Sequence, residues 1–135
     1  MKIKELHFKR FDNGELIKSL KDFIDSKKIM SGSIFCLGVL SNPVLGFFNW
    51  NSKEYKKIKI DKEVEIVSCY GNLARKKEND ELIIHLHSVV SDNNGKTYGG
   101  HFFEGQIKLV EAMVFETDKV TKSFNEDTKL YYLDA

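Results

Sequence analysis

Ile83-Ile84-His85-Leu86-His87-Ser88-Val89, then Asp92-Asn93-Asn94-Gly95-Lys96, then Tyr98-Gly99-Gly100-His101-Phe102: this stretch spells a β-hairpin with a tight loop. Side chains alternate between faces along a strand, so His85 and His87 share one face while Leu86 and Ser88 take the other. A three-residue loop suits the turn, with Asn93 and Asn94 right-handed and Gly95 in the left-handed position that strains other residues. With Asp92 opposite Lys96, counting back sets Ser88 opposite Gly100 and His87 opposite His101. Directly opposed residues of antiparallel strands share a face, with Cβ atoms about 4.5–5.5 Å apart. All three imidazoles then point the same way. A two-residue Asn94-Gly95 loop would instead send His101 to the other face.

Three of the four histidines of the chain lie between positions 85 and 101. Three neutral imidazoles leave one position open on a tetrahedral ion, the arrangement of a catalytic zinc site. Imidazole also suits copper, nickel or iron, so zinc is a preference among divalent transition metals. Gly99-Gly100 beside His101 allows close backbone approach, for packing or for a ligand over the metal. The plainer alternative is that each histidine merely covers a half-exposed strand. Convergence of three on one face favours metal.

The flanking sequence is mostly strand as well. Lys2 to Phe11 alternates around Ile3, Leu6 and Phe8. Asp12-Asn13-Gly14-Glu15 resembles a helix start with Asp12 as N-cap, and Leu16, Leu20, Phe23 and Ile24 then repeat at helical spacing to an end near Ser26 to Lys28. Ser33 to Leu40 is an apolar run broken by Asn42-Pro43. Val44 to Phe48 and Tyr55 to Ile60 flank the loop Asn49 to Lys53, and Glu63 to Leu73 and Glu81 to Val90 flank the turn Lys76 to Asp80. Tyr98 to Phe115 supplies one long bent strand or two shorter ones. The polar tail from Asp118 to Ala135 carries Leu130-Tyr131-Tyr132-Leu133, expected to dock on the core. One helix and seven or eight strands joined by short hairpins make an antiparallel-rich α+β fold, read as one domain over residues 1–135.

The 135 residues suffice for a real core, and 21 basic against 20 acidic residues give a net charge of +1. That balance exerts no general pull toward nucleic acid or anionic membrane. Apolar runs are too short to span a bilayer, and the opening Met-Lys-Ile-Lys-Glu has no signal-peptide core behind it. Cys36 and Cys69 stand in no metal or redox spacing and read as buried thiols of a cytoplasmic protein.

His85-Leu86-His87, Asp92 to Gly95, and Tyr98-Gly99-Gly100-His101-Phe102 with Gly105 together resemble the plants-and-prokaryotes conserved (PPC) domain. Arg10 to Glu15 is similar to that family's approach to its helix, Gly38 with Leu45 to Phe48 to its glycine-containing and following strands, and Glu65 to Leu73 to its central strand, with Cys69 where leucine is common. The resemblance implies a mixed, largely antiparallel sheet packed with one main N-terminal helix, and a homotrimer. Prokaryotic members often carry a DNA-binding label, and in plants the domain accompanies AT-hooks, of which this chain has none. Near its end the chain departs from the family. Lys122 and Lys129 stand where arginine and glycine are typical, and lysine cannot give arginine's bidentate contact with an anion.

Two functions compete. One is a metal-stabilised trimeric module, of the type labelled DNA-binding or transcription-related. The other is a zinc-dependent enzyme acting on a small oxoacid or ester, since the PPC fold looks related to that of acetolactate decarboxylase, where three histidines hold zinc. An enzyme needs an acid or base near the ion. Glu65 is the weak candidate, with an exposed strand carboxylate as its plainer reading. Glu104 is set aside because its side matches that of His101 only if the strand alternates unevenly. Arg10 is read as a surface arginine, His7 as an exposed strand residue, and Trp50 as packed. Lys53, Lys56, Lys57, Lys59 and Lys62 are the best candidates for a DNA-binding face, though such alternation marks a solvated strand more often.

Overall fold

Apolar spacing of three and four residues writes one helix into this chain, and a computed structural model describing residues 2–135 has it as α1, Leu16–Ser26. Leu16, Leu20, Phe23 and Ile24 form its buried stripe, as the spacing requires. Asp12 is not the N-cap. Glu15 takes that place, its carboxylate accepting the backbone N–H of Ile17 at 3.1 Å and of Lys18 at 3.0 Å. Gly14, at a φ of 97°, turns the chain between the two, and Asp12 instead pairs with Arg10 at 3.3 Å on the surface. Glu15 also accepts the Gly105 N–H at 3.2 Å, which pins the helix start to the sheet.

The strands are β1 (Ile3–Phe11), β2 (Gly32–Asn49), β3 (Glu54–Lys59), β4 (Glu63–Lys76), β5 (Leu82–Ser91), β6 (Thr97–Thr117), β7 (Thr121–Asn125) and β8 (Leu130–Leu133). The expected break at Asn42-Pro43 does not end β2. Pairing continues past it, and the interruption is absorbed as a register shift between Ser41 and Val44, with Asn42 at a φ of 52°. The stretch from Tyr98 to Phe115 is one long strand.

Pairings β2–β6, β6–β5, β5–β4 and β4–β2 return to their starting strand, so four long strands close on themselves. β3 extends β2, β1 pairs with β6, and β7–β8 hangs on the end of β4. Every pairing is antiparallel except β4–β7, which makes the sheet mixed, α+β overall. The buried core runs from the α1 stripe to Ile34, Leu45, Leu73, Leu86, Val90, Val110 and Val114. Along β5 the even positions Leu86, Ser88 and Val90 are buried, which turns His85 and His87 to the outer side. Cys36 and Cys69 are buried, unpaired and directly opposed across β2 and β4.

Among the described residues, no helix is long and apolar enough to cross a membrane. The Leu130–Leu133 cluster does not dock on the core. Leu130 and Tyr131 are half-buried while Tyr132 and Leu133 are exposed, because β8 reaches the sheet only through β7.

Candidate functional site

The β5–β6 loop has the expected three-residue form. The Asp92 N–H donates to Lys96 O at 2.9 Å, Gly95 N–H donates to Asp92 O at 3.0 Å, and Gly95 has a φ of 78°. Asp92 Oδ1 accepts the N–H groups of Asn94 at 2.9 Å and Lys96 at 3.0 Å, and these donors hold its carboxyl below the usual range. Register follows from the loop: Ser91 pairs Thr97, Ser88 pairs Gly100, and His87 pairs His101. At Gly100 a side chain would meet the backbone of Gly46 on β2, with a Cβ only 2.5 Å from Gly46 O, so this glycine serves strand packing.

His85, His87 and His101 thus converge. One ring nitrogen from each lies within 4.8 Å of the others. The Nε2 atoms of His85 and His87 are 3.2 Å apart. Zinc–nitrogen bonds of 2.0–2.1 Å in a tetrahedron put neighbouring nitrogens about 3.3 Å apart, so this pair already has the spacing of two ligands and His101 needs only a small approach. Tyr55 Oη lies 3.4 Å from His101 Nδ1, a position from which it orients that ring and leaves Nε2 free. Burial, with help from Lys122 and the neighbouring rings, lowers the pKa of His85 to about 4; burial, then His87 and Lys122, does the same for His101. Both imidazoles are therefore neutral near pH 7, the form that ligates metal.

A cavity of about 480 Å³ opens beside them, lined by Tyr55, Asn72, His85, His101 and Lys122 and by the apolar side chains of Ile83, Ile84, Leu130 and Leu133. Asn72 sits directly opposite His85 in the β4–β5 register. Lys122, on β7, is only 2% exposed, and burial lowers its pKa to about 8. Among the described residues, no Asp or Glu lines this cavity.

The remaining candidates lie elsewhere. Glu65 is exposed, opposite Ser91 at the loop end of β5, and is not brought to the histidines. Glu104 is exposed opposite Val44. Arg10 is a surface residue paired with Asp12. His7 is not exposed: its side chain is 11% accessible, with Nε2 3.1 Å from Glu116 Oε2 and the ring edge-on to Phe23. Trp50 is 61% exposed, touching Phe48 and Lys53 rather than packing inside. Of the lysines of the β3 region, Lys56, Lys57 and Lys59 are exposed. Lys57 lies over the Phe103 ring, Lys53 over Trp50, and Lys62 pairs with Asp92 at 3.3 Å.

Tyr55 and Asn72 were not among the sequence candidates. Asn72 was missed because a turn from Lys76 to Asp80 counts position 72 opposite 84, whereas the loop is one residue shorter, with Lys76 opposite Glu81, and this opposes 72 to 85. Tyr55 had no local signal, because its meeting with His101 depends on β3 and β6 flanking β2.

Comparison with solved structures gives the fold independent support. A PPC protein from Pyrococcus horikoshii is 26% identical with a TM-score of 0.89, covering 97% of this chain and 92% of that one. A metal-containing protein from Archaeoglobus fulgidus is 25% identical (TM-score 0.88; 97% and 94% covered). A protein from Bacteroides thetaiotaomicron that carries a provisional DNA-binding name is 28% identical (TM-score 0.88; 99% and 94% covered). More remotely, alpha-acetolactate decarboxylase from Bacillus subtilis shares the fold at 15% identity and a TM-score of 0.60, with 96% of this chain on 60% of that one. A search of curated proteins found no match. The sequence profile of the Plants and Prokaryotes Conserved (PCC) domain, the PPC domain of the resemblance above, matches residues 1–118, and the chain belongs to that family.

Proposed function

We propose that this chain is a metal-binding PPC protein in which His85, His87 and His101 hold one divalent transition-metal ion, with zinc preferred. The observation that carries the reading is the convergence of three imidazole nitrogens within 4.8 Å, two of them already 3.2 Å apart. Neutral rings and a tyrosine behind His101 fit a nitrogen-ligated ion with an open position. Elemental analysis of protein purified without an affinity tag should find about one metal per chain, and none in the H85A/H87A/H101A variant. Metal-free wild type would remove the site.

We further propose that residues 1–135 act as one domain of a cytoplasmic homotrimer. Phe35, Leu37, Val67, Tyr70 and Leu109 are exposed apolar residues on β2, β4 and β6, a larger set than scattered surface residues require. Tyr70 pairs with His87 across β4 and β5, so subunit contact over this patch would border the histidines. Light scattering on a sizing column tests the trimer, and a monomeric mass would remove it. DNA is the least supported partner. Its binding would show a steep salt dependence, and absence of binding at low salt would remove it.

The second reading, an enzyme acting on a small oxoacid or ester, is favoured by the cavity of about 480 Å³ beside His85 and His101. With no carboxylate in its lining, the proton-bearing groups available besides the histidines are the Tyr55, Tyr131 and Tyr132 hydroxyls and the Lys122 and Lys129 amines.

A further inference from the structure

Lys122 is among the largest fully buried side chains, at 2% exposure. An ammonium is almost never buried unless paired, because transfer from water costs far more than the side chain gains by packing. Here no carboxylate is within ion-pairing reach among the described residues, and only burial acts on its proton affinity. A second group in the same cavity is also unpartnered: Asn72 Oδ1 is buried and accepts no hydrogen bond. The two orphans are complementary in kind. One wants an anion and the other wants a donor.

We propose that the cavity binds a small organic carboxylate bearing a hydroxyl or amino group next to the carboxylate, with the carboxylate on Lys122, the donor on Asn72 Oδ1, and an aliphatic tail among Ile83, Ile84 and Leu133. A 2-hydroxy acid is the simplest molecule with these features. The volume of about 480 Å³ leaves room for such a ligand with space to spare, and the lining pairs few polar groups with an apolar wall, as small-molecule sites do. The inference deepens the metal-centre reading. It rests on that reading for any contact of the ligand with the ion, and on Lys122 and Asn72 for the carboxylate and the donor.

Calorimetric titration of the full-length, zinc-loaded protein with 2-hydroxy-4-methylpentanoate tests it, beside the matching amide and 4-methylpentanoate. The hydroxy acid should bind saturably and the uncharged amide roughly 30-fold or more weaker, since it leaves the buried ammonium unpaired. 4-Methylpentanoate, without the hydroxyl, should bind about fivefold or more weaker. Lys122→Met should abolish the preference for acid over amide, and folding is not at risk because the change removes a buried charge. No saturable binding, equal affinity for acid and amide, or a preference that survives in K122M would each overturn the proposal. Elemental analysis of the same samples separates the two claims. Metal without acid preference keeps the metal centre and removes the carboxylate site; a Lys122-dependent preference without metal does the reverse.

Discussion

Asp92 closes the loop of the histidine hairpin by accepting the Lys96 N–H at 3.0 Å, and that closure is what sets the strands in register. One carboxylate therefore controls a geometry assembled some distance up the strands, where His87 meets His101.

Replacing Asp92 with alanine leaves the Asn94 and Lys96 N–H groups without their acceptor. The variant should melt at a lower temperature and bind metal more weakly, while Asp92→Asn, which keeps the acceptor oxygen, should retain most of both. Deleting Asn93 should be far worse. It forces a two-residue loop, moves His101 to the other face, and should abolish metal binding in the same elemental assay.

Tyr55 packs against His101 with ring centroids 4.8 Å apart and its hydroxyl 3.4 Å from Nδ1. Tyr55→Phe keeps the ring and removes the hydroxyl, so metal affinity should fall about 10–100-fold with little change in fold. Competition with a chelator of known affinity measures it.

The metal-free protein should lose stability in mild acid. His85 and His101 titrate near 4 in the folded chain against 6.5 when unperturbed. Between those values the unfolded chain binds more protons, so stability falls as pH drops from 6.5 to 4, and these groups add no slope above 6.5. Thermal melts across that range check the sign, and H85N/H101N should flatten the decline.

Lys122 should act against stability. Lys122→Met is expected to raise the unfolding free energy by about 1–3 kcal/mol near neutral pH, the cost of an uncompensated buried polar group. Because its folded pKa is lowered to about 8 from 10.5, the wild-type penalty is full below 8 and fades as pH rises to 10.5. Denaturant melts of both proteins at either end of that window measure it.

Cys36 and Cys69 should be silent to thiol reagents in the native state. The Cys69 thiol alongside and burial push Cys36 up, and both side chains are buried. Both should react at once in denaturant. Fast native labelling would show that β2 and β4 open locally.

The hairpin was legible because two short-range rules, alternation and loop form, suffice to place three histidines. The α1 stripe was legible for the same reason. The cap was not, since Asp12 and Glu15 both fit the local pattern and only the turn at Gly14, with the contact to Gly105, selects Glu15. Asn42-Pro43 reads locally as a break, yet β2 is held by β4 and β6 on its two edges and crosses it. His7 and Lys122 look like surface residues in sequence. Their burial comes from partners remote in the chain: Glu116 and Phe23 for His7, and for Lys122 a cavity wall built from β4, β5 and β8.

The cavity's outer wall comes from β7 and β8, residues 121–133, whereas the family profile ends at 118 and the three histidines sit on β5 and β6. The register that gathers the imidazoles and the hairpin that closes the outer side of the cavity are thus separate pieces of chain. Substitutions in that short terminal hairpin can therefore reshape one wall of the cavity while the register that gathers the imidazoles is left untouched.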